Sequence, residues 1–383
     1  MNKKISLLTL CMAIISAPIG NVFAAGSGGF SDTTGGDSYS AVTVTTLAEL
    51  KSAVSSGQHH IIISGAIYGG SGLTTLNFTS ANNNNTTIEG ASGGHASLEN
   101  IQLKFDGELL SSGTNIQNVK IANLTFFGSI ADLQAMPTQT VGATDTTKTA
   151  GINYEGISLR RVTNALITHC TIYDTSDDLM SVTLSSDKVT LSYNHFYFTD
   201  NWVSMQPDPV WNWVGYNTDL AGERLAMVIG ANSSDSFVAT QKLHVTLHHN
   251  WIGPNVRGRP LFRGWVHLYS NYFDGSKTYS DNDTNTAEDG NAYTKKQYEA
   301  MQINSGSTVY SESNYFLSTN NTNTISQDSS GYAYNFYEKN NTYDQTTGTS
   351  ATGKTFSSPV SYSYTVTDSQ DVPGDVTTNA GPQ

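Results

Sequence analysis

The sequence predicts an all-β fold, a single-stranded parallel β-helix with long loops. Apolar residues five positions apart recur at turn-sized intervals, in the pairs Ile121 and Phe126, Ile167 and Ile172, Leu191 and Phe196, Leu247 and Ile252, and Leu268 and Phe273. The pairs that begin at Leu191 and Leu268 follow the preceding pair by 24 and 21 residues. This spacing, in a chain rich in Val, Ile, Thr, Asn and Gly, is typical of solenoid coils that bury inward side chains against the next coil.

Two longer intervals break the pattern. The 46 residues from Ile121 to Ile167 predict two coils, whereas the 56 residues from Leu191 to Leu247 predict a coil with an insertion. We place the insertion at residues 203–226, where Pro207, Pro209 and Gly215 interrupt any regular pattern. Long loops on a rigid scaffold commonly carry binding groups, so this insertion is a candidate part of a functional site.

An asparagine recurs two residues before Phe or Ile in the strings SYNHF, HHNWI, YSNYF and ESNYF. The positions are Asn194, Asn250, Asn271 and Asn314. Because asparagine tolerates the left-handed backbone region, we predict that these residues form a repeated bend between strands.

The N-terminal residues carry a targeting pattern. Residues 1–24 begin with two lysines, continue with an apolar run and end in Val-Phe-Ala, which is typical of a signal peptide. We therefore expect a secreted chain whose mature part, residues 25–383, is one domain. Removing the signal peptide leaves Cys170 as the only cysteine, so this part has no intramolecular disulfide and needs a large continuous core.

Distinct elements are predicted near the two ends of the mature chain. Residues 47–54 form the clearest predicted helix, with Thr46 and Glu49 spaced as a capping box, and this helix would close one end of the solenoid. From Ser318 the composition turns to Asn, Thr, Ser, Gly and Tyr, and residues 360–367 alternate like a half-exposed strand. We predict a C-terminal tail that wraps the coils.

The charge balance excludes some partners and points to one local site. The chain has 19 Lys and Arg against 32 Asp and Glu, a net charge of −13, so it offers no general basic surface for nucleic acid or an anionic membrane. Against this background Arg257, Arg259 and Arg263 crowd around Pro260. We predict a local anion-handling site there; a solvated basic cluster is the alternative.

The tryptophans are also concentrated in one region. All five lie within 64 residues: Trp202, Trp211, Trp213, Trp251 and Trp265. Flat amphipathic rings at a surface suit stacking on sugars, so we predict substrate binding, with loop packing as the alternative.

Several strings, in this order, resemble the pectate and pectin lyase family of right-handed parallel β-helix enzymes. They are GGFSDTTGG with VTTLAELKSAV, then NVKIANLTF, DDLMSVTLSSDKVTLSYN, and LHVTLHHN followed by RGRPLFR and VHLYSNYF. The resemblance spans most of residues 28–273 and implies a lyase domain over residues 25–383. It implies cleavage of α-1,4-linked galacturonan by β-elimination, and we expect a monomer acting on this polysaccharide.

The resemblance implies an arginine as the base that removes the C5 proton. The family pattern is Arg, any residue, Pro, two residues, Arg; here Pro260 and Arg263 fit, but Gly258 stands at the first arginine position. Arg257 and Arg259 are therefore both candidates, and we favour Arg259. Because the pKa of arginine lies above about 12, crowding by neighbouring cations and partial desolvation would have to lower it. The alternative is that all three arginines clamp an acidic polymer.

The resemblance also implies Ca²⁺, held by four acidic residues. The corresponding positions here are Asn153, Glu155, Asp177 and Ser181, of which two are acids. Asp178 could supply a further carboxylate, but strand alternation predicts that it faces away from Asp177. Ca²⁺ prefers six to eight oxygen ligands, several of them anionic, so we expect a weakened metal site.

The missing acids favour esterified pectin as the substrate. At the place of a substrate-binding lysine in the family stands Asn201, next to Trp202. A methyl ester acidifies the C5 proton without a metal, and the net charge of −13 would repel a polyanion.

Two other functions fit parts of the sequence. A galacturonan hydrolase on a β-helix would use paired aspartates such as Asp177 and Asp178, although the Gly-His-Gly and Arg-Ile-Lys strings of such hydrolases are absent from the sequence. A non-catalytic polysaccharide-binding β-helix would use the tryptophans equally well.

Overall fold

The computed structural model describes residues 27–110, 114–136, 140–141, 154–213, 216–277, 279–296, 299–319, 324–326, 332–348, 350–357 and 359–383. The predicted signal peptide lies outside these ranges. Within them, no helix combines the length and the apolar character needed to cross a membrane.

Three long parallel sheets make up most of the described structure. Successive coils pass through sheet 1, sheet 2 and sheet 3 in that order, as in Met180–Thr183, Asp187–Ser192 and His195–Tyr197. Strands of neighbouring coils pair in parallel, for example Ile167 with Leu191. The chain is therefore a right-handed parallel β-helix, which confirms the predicted fold class.

The strands belong to the sheets as follows. Sheet 1 contains Thr74–Phe78, Ile101–Asp106, Ile157–Arg160, Met180–Thr183, Met227–Ile229, Leu261–Phe262, Gln302–Asn304 and Thr324–Ser326. Sheet 2 contains Val42–Val44, His60–Ile63, Thr86–Gly90, Ile116–Ala122, Val162–Thr168, Asp187–Ser192, His244–His248, Trp265–Tyr269, Thr308–Glu312 and Asn335–Lys339. Sheet 3 contains Ala66–Tyr68, Ser97–Glu99, Thr125–Phe127, Thr171–Tyr173, His195–Tyr197, Trp251–Ile252, Tyr272–Asp274, Tyr315–Leu317 and Thr342–Asp344.

The remaining elements lie in loops or at the ends. Two small sheets are formed by Thr140–Val141 with Val210–Trp213 and Tyr216–Asp219, and by Thr284–Thr286 with Ala292–Thr294. The helices are α1 (Leu47–Ser55), α2 (Ile130–Ala135), α3 (Asp200–Val203), α4 (Phe237–Thr240) and α5 (Val372–Asn379). Short 3₁₀ turns occupy Ala81–Asn83, Gly107–Leu109, Leu220–Gly222 and Ser233–Asp235.

The predicted apolar repeat is the core of the β-helix. The first members of the five pairs stack in one column of sheet 2, and the second members stack in one column of sheet 3. All ten side chains are buried. The prediction of two coils between Ile121 and Ile167 is wrong, because these residues are direct partners. The chain between them adds one strand to sheet 3, Thr125–Phe127, and one to sheet 1, Ile157–Arg160, and α2 lies between these two strands in the sequence. The insertion between Leu191 and Leu247 is confirmed, since those residues also pair directly.

The recurring asparagines form a fully buried ladder that runs from coil to coil. The side-chain amide of Asn194 donates to Asn250 Oδ1 at 3.0 Å, Asn250 donates to Asn271 at 2.9 Å, and Asn271 donates to Asn314 at 2.9 Å. The left-handed residue of each bend is the one before the asparagine, as at Tyr193 with φ 53°. The asparagines therefore stabilise the bend through their amides, which corrects the expectation that they adopt the left-handed conformation.

Helix α1 closes one end of the solenoid as predicted. Thr46 Oγ1 accepts from the backbone N–H of Glu49 at 3.2 Å, and the Glu49 carboxylate accepts from the Thr46 N–H at 3.1 Å. This is the predicted capping box. The helix buries Leu50, Ala53 and Val54 against the apolar end of the core.

The C-terminal tail begins later than predicted and wraps the coils without forming a strand at residues 360–367. Residues after Ser318 first add strands to all three sheets. Further on, Tyr362 Oη lies 2.7 Å from Thr246 Oγ1 and 2.7 Å from His267 Nδ1, so the segment crosses neighbouring strands of sheet 2 instead of pairing along one. Helix α5 then packs Val372 and Val376 against sheet 3.

Two histidines connect the two ends of the described chain. His248 Nε2 lies 2.8 Å from the Ser27 carbonyl, the two Nδ1 atoms of His248 and His249 lie 2.9 Å apart, and His249 Nε2 lies 3.0 Å from Thr367 Oγ1. The rings meet because His249, with φ 52°, follows the last residue of the strand, so strand alternation does not set its direction. A carbonyl only accepts, so Nε2 of His248 carries the proton and Nδ1 of its neutral ring accepts from His249.

We predict that acid destabilises this histidine connection. Burial lowers the pKa of His248 to about 3 and that of His249 to about 4. Unfolded histidine has a pKa near 6.5, so the stabilisation is complete above that pH and is lost as pH falls toward about 4 and 3, on the order of 2 kcal/mol per histidine. Urea unfolding at pH 7 and pH 4.5 should show a smaller loss of stability in His248→Gln/His249→Gln than in the unaltered chain.

The exposed His95 provides the matched control. His95→Gln should keep the pH dependence of the unaltered chain, and an equal pH dependence in all three proteins would contradict the prediction.

Candidate active site

A cleft of about 360 Å³ lies on the outer face of sheet 1. It extends over three neighbouring strands and the bends that precede them. Its lining consists of Glu155, Ser158, Arg160, Asp177, Asp178, Ser181, Thr183, Val228, Ala231, Arg259 and Arg263.

Strand alternation explains why polar side chains reach this face. In the strand Ile157–Arg160, Ile157 and Leu159 are fully buried in the core, so Ser158 and Arg160 point outward. The next strand pairs Ser181 with Ser158 and Thr183 with Arg160, which continues the same outward rows. Ser158 Oγ and Ser181 Oγ lie 2.9 Å apart.

Three carboxylates enter the cleft from bends before the strands. The Glu155 carboxylate accepts from Ser181 Oγ at 2.7 Å, and Asp177 Oδ1 accepts from the Asp178 backbone N–H at 2.8 Å. Both aspartates line the cleft. The expectation that Asp178 faces away from Asp177 is wrong, because these residues form a bend and strand alternation does not apply to them.

The three predicted arginines separate into two groups. Arg259 lines the cleft and its Nη1 donates to Asp178 Oδ2, and Arg263 also lines the cleft, with Nη1 donating to the Gly230 carbonyl at 2.7 Å. Arg257 is not among the lining residues; its Nη1 donates to the Gly222 carbonyl at 2.8 Å. The geometry therefore favours Arg259 over Arg257 for any role in this cleft.

The electrostatics of Arg259 differ from the expectation that nearby cations lower its pKa. Burial does lower the pKa of the guanidinium, but the adjacent carboxylates of Asp178 and Asp177 outweigh burial and raise it. Burial and the nearby Asp177 also raise the pKa of Glu155. Arg259 is thus held as a cation inside a group of carboxylates.

The residues at the predicted Ca²⁺ positions do not fit a calcium site. Glu155 is bonded to Ser181, Asp178 is bonded to Arg259, and Asn153 lies outside the described residues. In the part of the chain that the structure describes, no group of three His, Cys, Asp or Glu residues could hold a metal ion. Ca²⁺ takes six to eight oxygen ligands, and two of the three carboxylates in this cleft are already engaged by Ser181 and Arg259.

The predicted tryptophan platform is not assembled at the cleft. Trp202 is fully buried and Trp211 is 2% exposed, so burial contradicts a surface-stacking role for these two side chains. Trp251 lies on sheet 3, stacked on His195 at 3.9 Å, and Trp265 lies on sheet 2, 5.2 Å from Phe30. The four tryptophans whose side chains the structure describes pack in the core or against other aromatic rings. The side chain of Trp213 lies outside the described residues.

Asn201, at the place of the family lysine, is also away from the cleft. It is an exposed residue of α3 and is not among the lining residues. In the sequence, the insertion at residues 203–226 lies between Asn201 and the sheet 1 strand Met227–Ile229.

Sequence reasoning missed Arg160 and Glu223. Arg160 lines the cleft, and its Nε donates to Asp106 at 3.0 Å while its Nη2 donates to Glu108 at 2.6 Å. Strand alternation in the string ISLR would have placed Arg160 on the outer face.

Burial and the charge of Asp177 raise the pKa of Glu223 to about 7, despite the nearby arginines. We find no sequence signal for Glu223, because its position depends on how the insertion folds.

The fold and the cleft define a right-handed parallel β-helix protein with an arginine–carboxylate site on one sheet. A family model described as pectate lyase matches residues 214–383. Pectate lyase 1 of Juniperus ashei is 32% identical over 146 residues, which cover 37% of this chain and 32% of that protein. A probable pectate lyase B of Aspergillus flavus is 25% identical over 251 residues, covering 63% of this chain and 58% of that protein. The chain is therefore similar to pectate lyases over these parts of its sequence.

Solved structures support the same fold. A thermostable pectate lyase superposes with a TM-score of 0.61 at 19% identity, over 91% of this chain and 94% of the other. A Bacillus sp. N165 pectate lyase solved with trigalacturonate gives 0.60 at 17% identity, over 93% and 98%. The chain spans about a third of the length of the plant relatives that it matches.

We predict that Asp178 and Arg259 are energetically coupled. Removing one member of a buried ion pair leaves an uncompensated charge, but Arg259 keeps a quarter of its side chain exposed, so we expect a loss of about 2 kcal/mol for Asp178→Ala or Arg259→Ala. The double variant should lose clearly less than the sum of the two. Chemical denaturation of the four proteins measures this coupling, and simple additivity would be evidence against it.

Proposed function

We propose that this chain cleaves α-1,4-linked galacturonan by β-elimination in the sheet 1 cleft. In this reaction the C5–H bond of a uronate breaks, its electrons form the double bond between C4 and C5, and the glycosidic oxygen leaves C4 with a proton. The observation that carries the proposal is the placement of Arg259 and Arg263 beside three carboxylates on the outer face of a β-helix. The similarity of parts of the sequence to pectate lyases supports it.

Arg259 is the group on which the proposed reaction depends. Negative charge develops on the uronate carboxyl group as the C5 proton leaves, and a fixed guanidinium in a partly desolvated cleft stabilises that charge. To act as the base as well, Arg259 must first lose its proton, and Asp178 and Asp177 oppose that loss because they raise its pKa. Alkaline conditions therefore favour the role of Arg259 as a base. Arg263 would hold the substrate.

The charge balance of the cleft supports an esterified substrate. Above the raised pKa of Glu155, the carboxylates of Glu155, Asp177 and Asp178 offset the three arginines that line the cleft. Arg160 is also paired outside the cleft with Asp106 and Glu108. The lining thus has no excess positive charge with which to attract a polyanion. A methyl-esterified uronate needs less charge compensation and has a more acidic C5 proton.

The proposed reaction contains no metal step, because the residues present do not fit Ca²⁺. A hydrolytic reaction is less well supported, since Asp178 of the aspartate pair is engaged by Arg259. The signal-peptide pattern of residues 1–24 supports export of the enzyme.

We predict that Arg259→Lys removes most activity and that Arg257→Lys does not. A lysine cannot reproduce the planar guanidinium of Arg259, and loss of such an electrostatic contact typically costs 10²–10³-fold in rate. Arg257 does not line the cleft, so its variant should remain within about threefold of the unaltered enzyme. Ultraviolet absorbance of the new double bond measures elimination directly.

Thermal melting would verify that both variants fold. Equal loss of rate in two folded variants would refute the assignment of Arg259, and the absence of eliminative product from the unaltered protein would indicate a non-catalytic binding protein.

We predict faster elimination on highly esterified pectin than on polygalacturonate, with less than about twofold change when a chelator is added. The physical reasons are the balanced charge of the cleft and its poor match to Ca²⁺. Initial rates on both polymers, with and without chelator and at two salt concentrations, measure this. A strong, chelator-sensitive preference for polygalacturonate would contradict the proposal of an esterified substrate.

A further inference from the structure

A second concave surface lies over sheet 2, away from the cleft. It encloses about 410 Å³ between the N-terminal segment and three neighbouring strands. We call it the sheet 2 groove; its lining consists of Asp32, Thr33, Thr34, Gly35, Ser38, Tyr39, Asn85, Asn118 and Asn164. None of these residues lines the sheet 1 cleft.

Three asparagines form the floor of the groove as an outer amide ladder. Asn85, Asn118 and Asn164 all have left-handed backbones, with φ 53°, 59° and 65°, at matching positions of successive coils. Asn164 Nδ2 donates to Asn118 Oδ1 at 2.8 Å, and Asn118 Nδ2 donates to Asn85 Oδ1 at 2.7 Å. Strands of a sheet repeat about every 4.8 Å, so polar amides recur along the groove at intervals comparable to one sugar ring.

The N-terminal segment fixes one end of this ladder. Asn164 Oδ1 accepts from Ser31 Oγ at 3.0 Å and from the Asp32 backbone N–H at 3.1 Å. Gly36 N–H donates to Thr87 Oγ1 at 2.8 Å. The wall of the groove is therefore held on the sheet by hydrogen bonds at both of its ends.

Tyr39 supplies an aromatic surface at the rim. Its side chain is 44% exposed, although its ring stacks on His59 with centroids 4.1 Å apart. One face of the ring is thus supported by the protein while much of the side chain remains open to solvent. Such a ring suits stacking on the apolar face of a sugar, with the nearby amides and hydroxyls available for its hydroxyl groups.

The charge of the groove favours neutral sugars over acidic sugars. Apart from the Tyr39 phenol, its only ionisable lining residue is Asp32, and the nearby Lys120 ammonium is paired with Asp37 at 2.7 Å. A carboxylate at the rim and a chain of net charge −13 disfavour an acidic polymer. Uncharged, hydroxyl-rich glycans match the amide and hydroxyl groups of the lining.

We propose that the sheet 2 groove binds a neutral glycan chain as a non-catalytic subsite. The binding does not depend on the proposed lyase activity, because the groove and the cleft share no lining residue. In an enzyme that acts on a polysaccharide, the groove would hold the protein near neutral sugar branches of that polymer or near neighbouring neutral polymers.

Affinity electrophoresis of the full protein in gels that contain soluble neutral galactan tests the proposal. The unaltered protein should be retarded, and Tyr39→Ala should raise the apparent Kd by about 5-fold, since an aromatic contact of this kind contributes that much. Tyr68→Ala is the matched control, because Tyr68 is 47% exposed but lies on sheet 3 with its hydroxyl donating to Asp132 at 2.7 Å. This control should bind galactan like the unaltered protein.

Three results would overturn the proposal. They are no retardation of the unaltered protein by galactan, equal weakening by both tyrosine variants, or retardation by polygalacturonate alone. Thermal melting confirms that the variants fold, and Asn118→Ala gives a second, independent weakening of the same groove. Turnover on soluble pectin should be unchanged in Tyr39→Ala, so a failure here is distinguishable from a failure of the proposed lyase function.

Discussion

The rest of the structure depends on the parallel pairing of each coil with the next. Backbone hydrogen bonds link equivalent strands, so a side chain that points inward in one coil lies directly on its counterpart in the following coil. This requires the same side-chain pattern in every coil. In the core, the apolar columns provide this repeated pattern. At the bend, the buried asparagine ladder provides it, because each amide forms hydrogen bonds with polar groups of the neighbouring coil.

The same regularity creates the candidate active site. Inward residues of sheet 1 are committed to the core, so the outward rows are free to carry polar groups without a cost in packing. Strands present Ser158, Ser181 and Arg160, whereas the preceding bends present the carboxylates and Arg259. A rigid ladder of strands thus fixes the spacing of groups that come from distant parts of the sequence. The close association of Asp178 with Arg259 makes this site one of balanced charge instead of a simple basic clamp.

The two chain ends stabilise the described chain, which contains no disulfide. Cys170 is buried and free. The N-terminal segment and the C-terminal tail both pack on the outer face of sheet 2, where Phe30 and Tyr362 lie 5.0 Å apart, and the His248–His249 pair links them. The N-terminal segment, held on the sheet by hydrogen bonds, also forms one wall of the sheet 2 groove. Covering a sheet face with the chain ends therefore produces both stability and a binding surface.

The β-helix, the core columns, the recurring asparagines and helix α1 could all be predicted from the sequence, because periodic burial and local capping depend on spacing along the chain. The sequence also identified the arginine cluster and the acids that line the cleft. Which side chains meet became clear from the folded chain. It separated Arg257 from Arg259, joined Asp178 to Arg259 and buried Trp202 and Trp211. These outcomes depend on bends and long loops, where strand alternation no longer fixes direction and packing between coils decides it.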